Sequence, residues 1–361
     1  MTLPRSLANP LPVAAFALLS ASPVGLIGLG CIYGGLWAAL AFLAMTLLPL
    51  AMDRLLPWVA GNAAEGVEFP AEAVLLLALG ILHLTLLPLL VWAVGGPGFL
   101  DGPDGLSGAE RLALFIAAGL WFGQVAHPAA HELIHRQGQL SRALGVAIYV
   151  TLLIGHHASA HRLVHHHHVA SARDPNTARA GEGYYRYAWR AWLGSFRAGF
   201  RAETLLRIRS RSGLHPYWVY LGGAGVSLAL GLLLAGLPGL LVWAGLGFHA
   251  TAQILLSDYV QHYGLRRRKR PDGKLEPVGP AHSWNAAPWY SSGLMLNAPR
   301  HSDHHAHPAR RYPALQLPEP DLAPRLPWSL PLACLIALLP PVWRRAMQPH
   351  LAGWNPPKPL N

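Results

Sequence analysis

Leu112-Ala-Leu-Phe-Ile-Ala-Ala-Gly-Leu-Trp-Phe-Gly-Gln-Val-Ala126 runs without a charge straight into His127-Pro-Ala-Ala-His131-Glu-Leu-Ile-His135. An apolar helix of membrane character therefore ends on a pair of histidines four residues apart. Residues at i and i+4 share one helical face, so His131 and His135 can reach one metal ion. Composition extends this reading to the whole chain. Of 361 residues, 52% are hydrophobic and only 12% charged, whereas a soluble domain is about a quarter charged. The 37 Gly and 32 Pro lie inside and between apolar runs, where membrane helices tolerate them. Cys31 and Cys334 both fall in apolar stretches, which excludes a disulfide framework and a CxxC site. Any metal must then be held by His and carboxylate, and 20 histidines are available.

A bilayer crossing needs about 20 apolar residues. Segments 11–29, 32–52, 71–94, 112–126, 217–234 and 240–256 qualify. The expected fold is an all-α integral membrane protein: about six transmembrane helices in one domain over 1–361, with a cytoplasmic helical cap carrying a His-rich di-metal site. Segment 143–155 reads as re-entrant or interfacial, and Pro331, Pro340 and Pro341 argue against a crossing at 326–341. Nothing in Met1 to Pro10 resembles a cleavable signal, and no internal repeat of fixed period is evident. The loop after the third segment holds Asp101, Asp104 and Glu110 but no Lys or Arg, and only Arg111 lies at that end. The positive-inside rule then makes the other side cytoplasmic, including both termini and the regions 127–216 and 257–325. The net charge of +11 follows from this topology. No aromatic-rich basic domain supports nucleic-acid binding.

Four histidine motifs share that cytoplasmic side. They are His131-Glu-Leu-Ile-His135, His161-Arg-Leu-Val-His165-His166, His301-Ser-Asp-His304-His305, and His262 just beyond the last apolar segment. The first echoes the zinc-protease HExxH signature, which leaves the other clustered histidines unexplained. A His-rich metal transporter would carry ionisable groups along its spans, and here, Glu72 at a span end apart, the spans hold only His83 and His249 as charged or imidazole groups. His83, His215, His249 and His350 are isolated. His167 and His168 merely extend the second motif, and His307 reads as a surface residue. His127, ahead of Pro128, reads as a helix start. His156 and His282 are candidates for supporting positions behind the ligands.

HELIH, HxxxHH and HxxHH resemble the three histidine boxes of membrane fatty-acid desaturases and hydroxylases. Asp258-Tyr-Val-Gln-His262-Tyr-Gly-Leu, His282-Ser-Trp-Asn285 and Pro299-Arg-His301-Ser-Asp-His304-His305 are similar to the alkane monooxygenase branch, whose pattern is NYxEHYGL, HSWN and QRHSDHHA. Asp174-Pro175 and Pro340-Pro341-Val342-Trp343-Arg344-Arg345 continue the likeness, which covers most of the chain. The resemblance implies a non-haem di-iron centre on His131, His135, His161, His165, His166, His262, His301, His304 and His305. All-imidazole ligation by itself suits Zn, Cu, Fe or Ni. Glu132, His156, Asp258, His282 and Asp303 are then expected to orient the ligands. Ala160, Val164, Asp258 and Gln261 depart from the branch, and two of them replace its Glu residues.

The implied activity is terminal hydroxylation of an alkane to a primary alcohol with O2 as co-substrate. The competing activities are hydroxylation of alkyl side chains on aromatics, and desaturation or hydroxylation of fatty acyl chains. HSWN and HYGL speak against the desaturase. No redox motif is present, so electrons would come from another protein, and the resemblance implies a rubredoxin or ferredoxin-type carrier with its NAD(P)H reductase. The run Arg266-Arg267-Arg268-Lys269-Arg270 and the Arg-rich stretch 186–211 are candidates for docking it. A bulky second-span side chain limits chain length in the family. The register here falls at Ala44 or Met45, which predicts no block. A bacterial inner membrane is the expected location.

Overall fold

The computed structural model describes residues 5–6, 9–99, 105–210 and 213–354. Asp101, Asp104, Arg211 and both extreme termini, which enter the orientation argument, lie outside these. The described residues are mostly helical. Thirteen helical segments, α1 to α13, are used below, with one parallel pairing of Arg5–Ser6 (β1) and Trp58–Val59 (β2).

α1 (Val13–Tyr33) turns at Gly34 into α2 (Gly35–Met45). The sequence ends this segment at residue 29. The helix continues because Gly30 is a packing glycine, where a Cβ would stand 3.1 Å from Ala38 Cα, and the break falls at Gly34 with φ +59°. The second apolar segment bends by 49° between α2 and α3 (Leu47–Leu55). Pro49 cannot donate to the Met45 carbonyl, and the Thr46 hydroxyl bonds back to Phe42 O at 2.6 Å. α4 is Glu72–Gly95 and α5 is Gly108–Ile134. Ser107 and Glu110 cap α5 reciprocally. α5 is thus longer than the expected 112–126, so HELIH sits on the last turns of the apolar helix itself. His127 lies inside this unbroken helix and is not a helix start.

α6 (Gln139–Thr151) packs on α4, α5 and the later apolar run. Residues 157–168 form α7, and Tyr184–Ser210 forms α8. α9 covers Tyr217–His262 but breaks at Ala235 and Gly236, the latter at φ +64°. A Cβ on Gly231 would lie 3.0 Å from Gly239 O; eight residues of straight helix would separate them by about 12 Å. The two halves therefore fold against each other, as the separate segments 217–234 and 240–256 anticipate. Among the described residues four helices are long and apolar enough to cross a membrane, five with the bent α2–α3 pair. Six is reached only by counting the halves of α9 separately. α10 (Trp289–Leu294), α11 (His301–Ala306), α12 (Leu330–Ala337) and α13 (Pro340–Trp354) complete the chain. At eight residues, α12 is too short to span.

One apolar core runs through α1, α2, α4, α5, α6 and α9, with Phe16, Ile27, Leu79, Trp121 and Leu246 buried at its centre. A second, around Tyr187, Tyr259, Trp343 and Met347, sits under the C-terminal region. Leu233 and Phe248 are 81% and 76% exposed, as side chains facing lipid should be.

Candidate metal centre

Four elements deliver the nine motif histidines to one place: the end of α5, α7, the end of α9, and α11. They form two groups whose ligand nitrogens lie within 4.8 Å of one another. His131, His135, His161, His166 and His304 make the first; His165, His262, His301 and His305 make the second. The spacing of His161 and His165 would put both on one face of an α-helix, as for His131 and His135, but the structure separates them. Residues 161–165 form a π-turn, whose wider register brings i and i+5 together. His161 Nε2 therefore meets His166 Nε2 at 2.9 Å, and His165 turns to the other group. α11 splits its donors similarly, His304 to the first group and His301 with His305 to the second.

The donor chemistry fits cations. His161 Nε2 lies 2.7 Å from His131 Nε2 and 2.9 Å from His166 Nε2. His301 Nε2 lies 3.0 Å from His262 Nε2 and 3.1 Å from His305 Nε2. A single imidazole nitrogen has one proton or one lone pair, so it cannot satisfy two such partners by hydrogen bonding. His135 Nε2 and His165 Nε2 are buried with no partner at all. Burial holds His161, His166, His301, His304 and His305 well below their ordinary 6.5. The neutral imidazole is the form that ligates.

His165 is the exception. Burial would lower it too, but Asp174 raises it. His165 Nδ1 donates to Asp174 Oδ2 at 2.9 Å, fixing the tautomer that aims Nε2 at its group. Burial disfavours the Asp174 carboxylate, but His165 and the Thr177 hydroxyl, 2.7 Å away, hold it below its ordinary range. Asn176 continues the chain, donating to Asp258 Oδ2 at 2.7 Å.

The expected supporting residues divide. Asp258 joins this Asp174–Asn176 relay. His282 faces Glu276 at 3.0 Å, and it is its backbone carbonyl that lies 3.5 Å from His262 Nδ1. Glu132 accepts from the Tyr312 backbone N–H at 3.2 Å, and Asp303 Oδ2 from Gln316 N at 2.8 Å, so both brace the C-terminal loop. His156 packs on Phe196 and lies 3.4 Å from Ser195 Oγ. Gln261, where the branch has Glu, donates to Ala298 O at 3.1 Å. His83 bonds to Thr151, and His307 is exposed beside Asp303. Arg266, Arg268, Lys269 and Arg270 are exposed, while Arg267 bonds to His167 O.

Sequence reasoning missed Asp174 as a site residue, and also His157, whose ring stacks on His161 at 5.1 Å. Asp174 carried a signal in Asp174-Pro175; His157 carried none.

A cavity of about 1040 Å³ ends on this centre, touching His131, His161, His301 and His304. Its wall is chiefly apolar and includes Met45 but not Ala44. Its far side reaches Tyr185, Trp189, Phe248 and Leu335, all exposed on the outer surface.

Residues 110–334 match the fatty acid desaturase family, and the chain belongs to that family. It is 34% identical to an alkane 1-monooxygenase of Ectopseudomonas oleovorans over 70% of this chain and 63% of that one. An alkane 1-monooxygenase of Pseudomonas aeruginosa is 31% identical over 68% of this chain. The chain thus spans only 64% and 63% of the length of these two relatives. The hydroxylase component of a xylene/toluene monooxygenase of Pseudomonas putida is 28% identical over 91% of this chain and 86% of its own.

Proposed function

We propose that this chain is a membrane di-iron monooxygenase that converts the terminal methyl of alkanes to primary alcohols, using O2 and electrons from a rubredoxin-type carrier. The observation that carries the proposal is the chiefly apolar cavity, lined both by histidines of the two groups and by Trp189, Phe248 and Leu335, large apolar side chains exposed on the helix surface. An alkane already resides in the bilayer at about 0.8 kcal/mol per buried CH2 and reaches this cavity without crossing water. The nine nominated histidines hold the irons, and His165 is oriented by Asp174. Two irons held there would supply O2 activation for a hydroxylation that balances overall, one oxygen atom entering a C–H bond and the other leaving as water with two electrons and two protons. The wall positions the chain by shape alone near the centre. One methylene is worth roughly 1–3 kcal/mol there, so chain-length preference is broad.

Counting the halves of α9 separately gives a reading of six crossings, with the centre and both termini on the cytoplasmic face of a bacterial inner membrane; the scarcity of Lys and Arg in the loop after the third segment supports that reading. A second reading, hydroxylation of alkyl side chains on aromatic rings, draws support from the long alignment with the xylene/toluene relative. The test is to purify the protein, assay its metals, and supply NADH, reductase and rubredoxin with alkanes from hexane to hexadecane and with alkylbenzenes. Iron with alcohol formation supports the proposal; zinc, or no alcohol from any substrate, overturns it.

A further inference from the structure

The cavity wall carries a second polar patch, remote from the histidine centre and inside the apolar helices. Gln124 lies on α5 seven residues before His131, about 10 Å along the helix axis, and both side chains line the cavity. His249 and Gln253 of α9 line it as well. These two sit over a glycine groove on α5. A Cβ on Gly119 or on Gly123 would collide with the His249 ring or the Gln253 amide respectively. Gly119 is twelve residues before His131, so the patch extends to about 18 Å from the centre.

Helix packing explains part of this arrangement. Small residues let polar side chains dock across apolar helices, and Gln253 Nε2 donates to Gly119 O at 2.7 Å. The rest is unexplained by packing. Gln124 Oε1 and His249 Nδ1 are buried without a partner. Neither side chain hydrogen-bonds to any described residue. Unpaired polar groups at this depth are costly, and polar residues in spans mark ligand paths. The cavity wall contains no Lys or Arg among the described residues, whereas Glu132 and Asp258 line it. A carboxylate would find no counter-charge there. Amides and an imidazole instead offer donors and acceptors without fixed charge.

We propose that Gln124, His249 and Gln253 form a subsite for a neutral oxygen group, a hydroxyl or ketone carbonyl, on a hydrocarbon chain whose opposite end reaches the histidine centre. The inference rests on the hydroxylase reading and deepens it. Oxygenated chains are substrates, and the new hydroxyl replaces a C–H bond at the end remote from the existing oxygen. O2, electrons and protons balance as for an alkane.

The experiment is competition of 1-dodecanol, 2-dodecanone and dodecanoate against radiolabelled dodecane on the purified full chain, for wild type, Gln124→Leu and His249→Phe. Neither substitution removes a hydrogen bond within the protein. The alcohol and ketone are expected to compete roughly fivefold better than unlabelled dodecane, as one added hydrogen bond allows, and dodecanoate worse. Each substitution should bring that ratio towards one. Comparing ratios between variants cancels partitioning into detergent. A wild-type ratio of one, an unchanged ratio in both variants, or no saturable dodecane binding overturns the subsite. If the ratios behave as expected while no chain is hydroxylated, the subsite stands and the monooxygenase reading falls. With turnover, 1-dodecanol should yield the terminal diol.

Discussion

At the scale of single residues, eight of the nine nominated histidines stand in short motifs with metal-ligand spacing, whereas His262 stands alone and is nominated by the resemblance. Their division between two groups was not legible, since it depends on a π-turn at residues 161–165 that no residue type announces. Asp174 was passed over because its partner, His165, is joined to it through a loop and not along a helix face. Asp174→Asn keeps the shape but exchanges a charged acceptor for a neutral amide behind His165. Such substitutions typically cost 10–100-fold in metal affinity, so the variant should lose metal to a chelator at concentrations the wild type withstands. Metal content equal to wild type at every chelator concentration would remove Asp174 from the centre. His304→Ala removes a donor outright, and metal and hydroxylation should vanish together.

At the scale of elements, hydropathy located the apolar helices but misjudged where they end. The helices run on to Tyr33 and Ile134, past the expected ends at residues 29 and 126, because hydropathy is a weak guide to a helix terminus. The gap between the apolar segments 217–234 and 240–256 anticipates the Ala235–Gly236 break, and its residue-level cause is Gly236 in the left-handed region. Gly236→Val should cost about 1–2 kcal/mol from that conformation alone, read as a lower midpoint in thermal unfolding with metal content retained. A second element-level device ties α8 to the loop that presents Asp174. Arg190 binds Glu182 at 2.7 Å and the carbonyls of Pro175 and Thr177 at 2.8 and 3.1 Å. Burial opposes the Glu182 charge, yet Arg190 holds its carboxyl below the ordinary 4.5. A depressed carboxyl contributes stability that is full above its ordinary value and is lost as pH falls through the folded one. Arg190→Leu should therefore destabilise by about 2 kcal/mol near neutrality, and the gap to wild type should narrow on acidification. A gap that widens towards low pH would show that the pair does not act in this way.

At the scale of the whole molecule, charge asymmetry and histidine placement pointed to one working face from the sequence alone. The cavity was not legible, because its wall is assembled from α2, α3, α5, α8, α9 and α12, far apart in sequence. The same asymmetry bears on how electrons arrive. Arg266, Arg268, Lys269 and Arg270 project from the loop that follows His262, and among the described residues only the Arg270 side chain has a carboxylate partner, Asp272, at 3.0 Å. Arg267 is already engaged with His167 O and Glu276 O, so it is the member least available to a partner. An acidic carrier approaching this loop would be steered by the three or four free guanidinium and ammonium groups. The double substitution Arg266→Glu, Lys269→Glu leaves Arg267 and its loop contacts in place while reversing the field. It should lower kcat/KM for the reduced carrier at low salt while leaving hydroxylation driven by a small-molecule reductant unchanged. The deficit should shrink as the Debye length falls from about 30 Å at 0.01 M to about 8 Å at 0.15 M salt. Equal kcat/KM for both proteins at low salt would mean that the basic loop serves membrane topology alone, and that the carrier docks elsewhere.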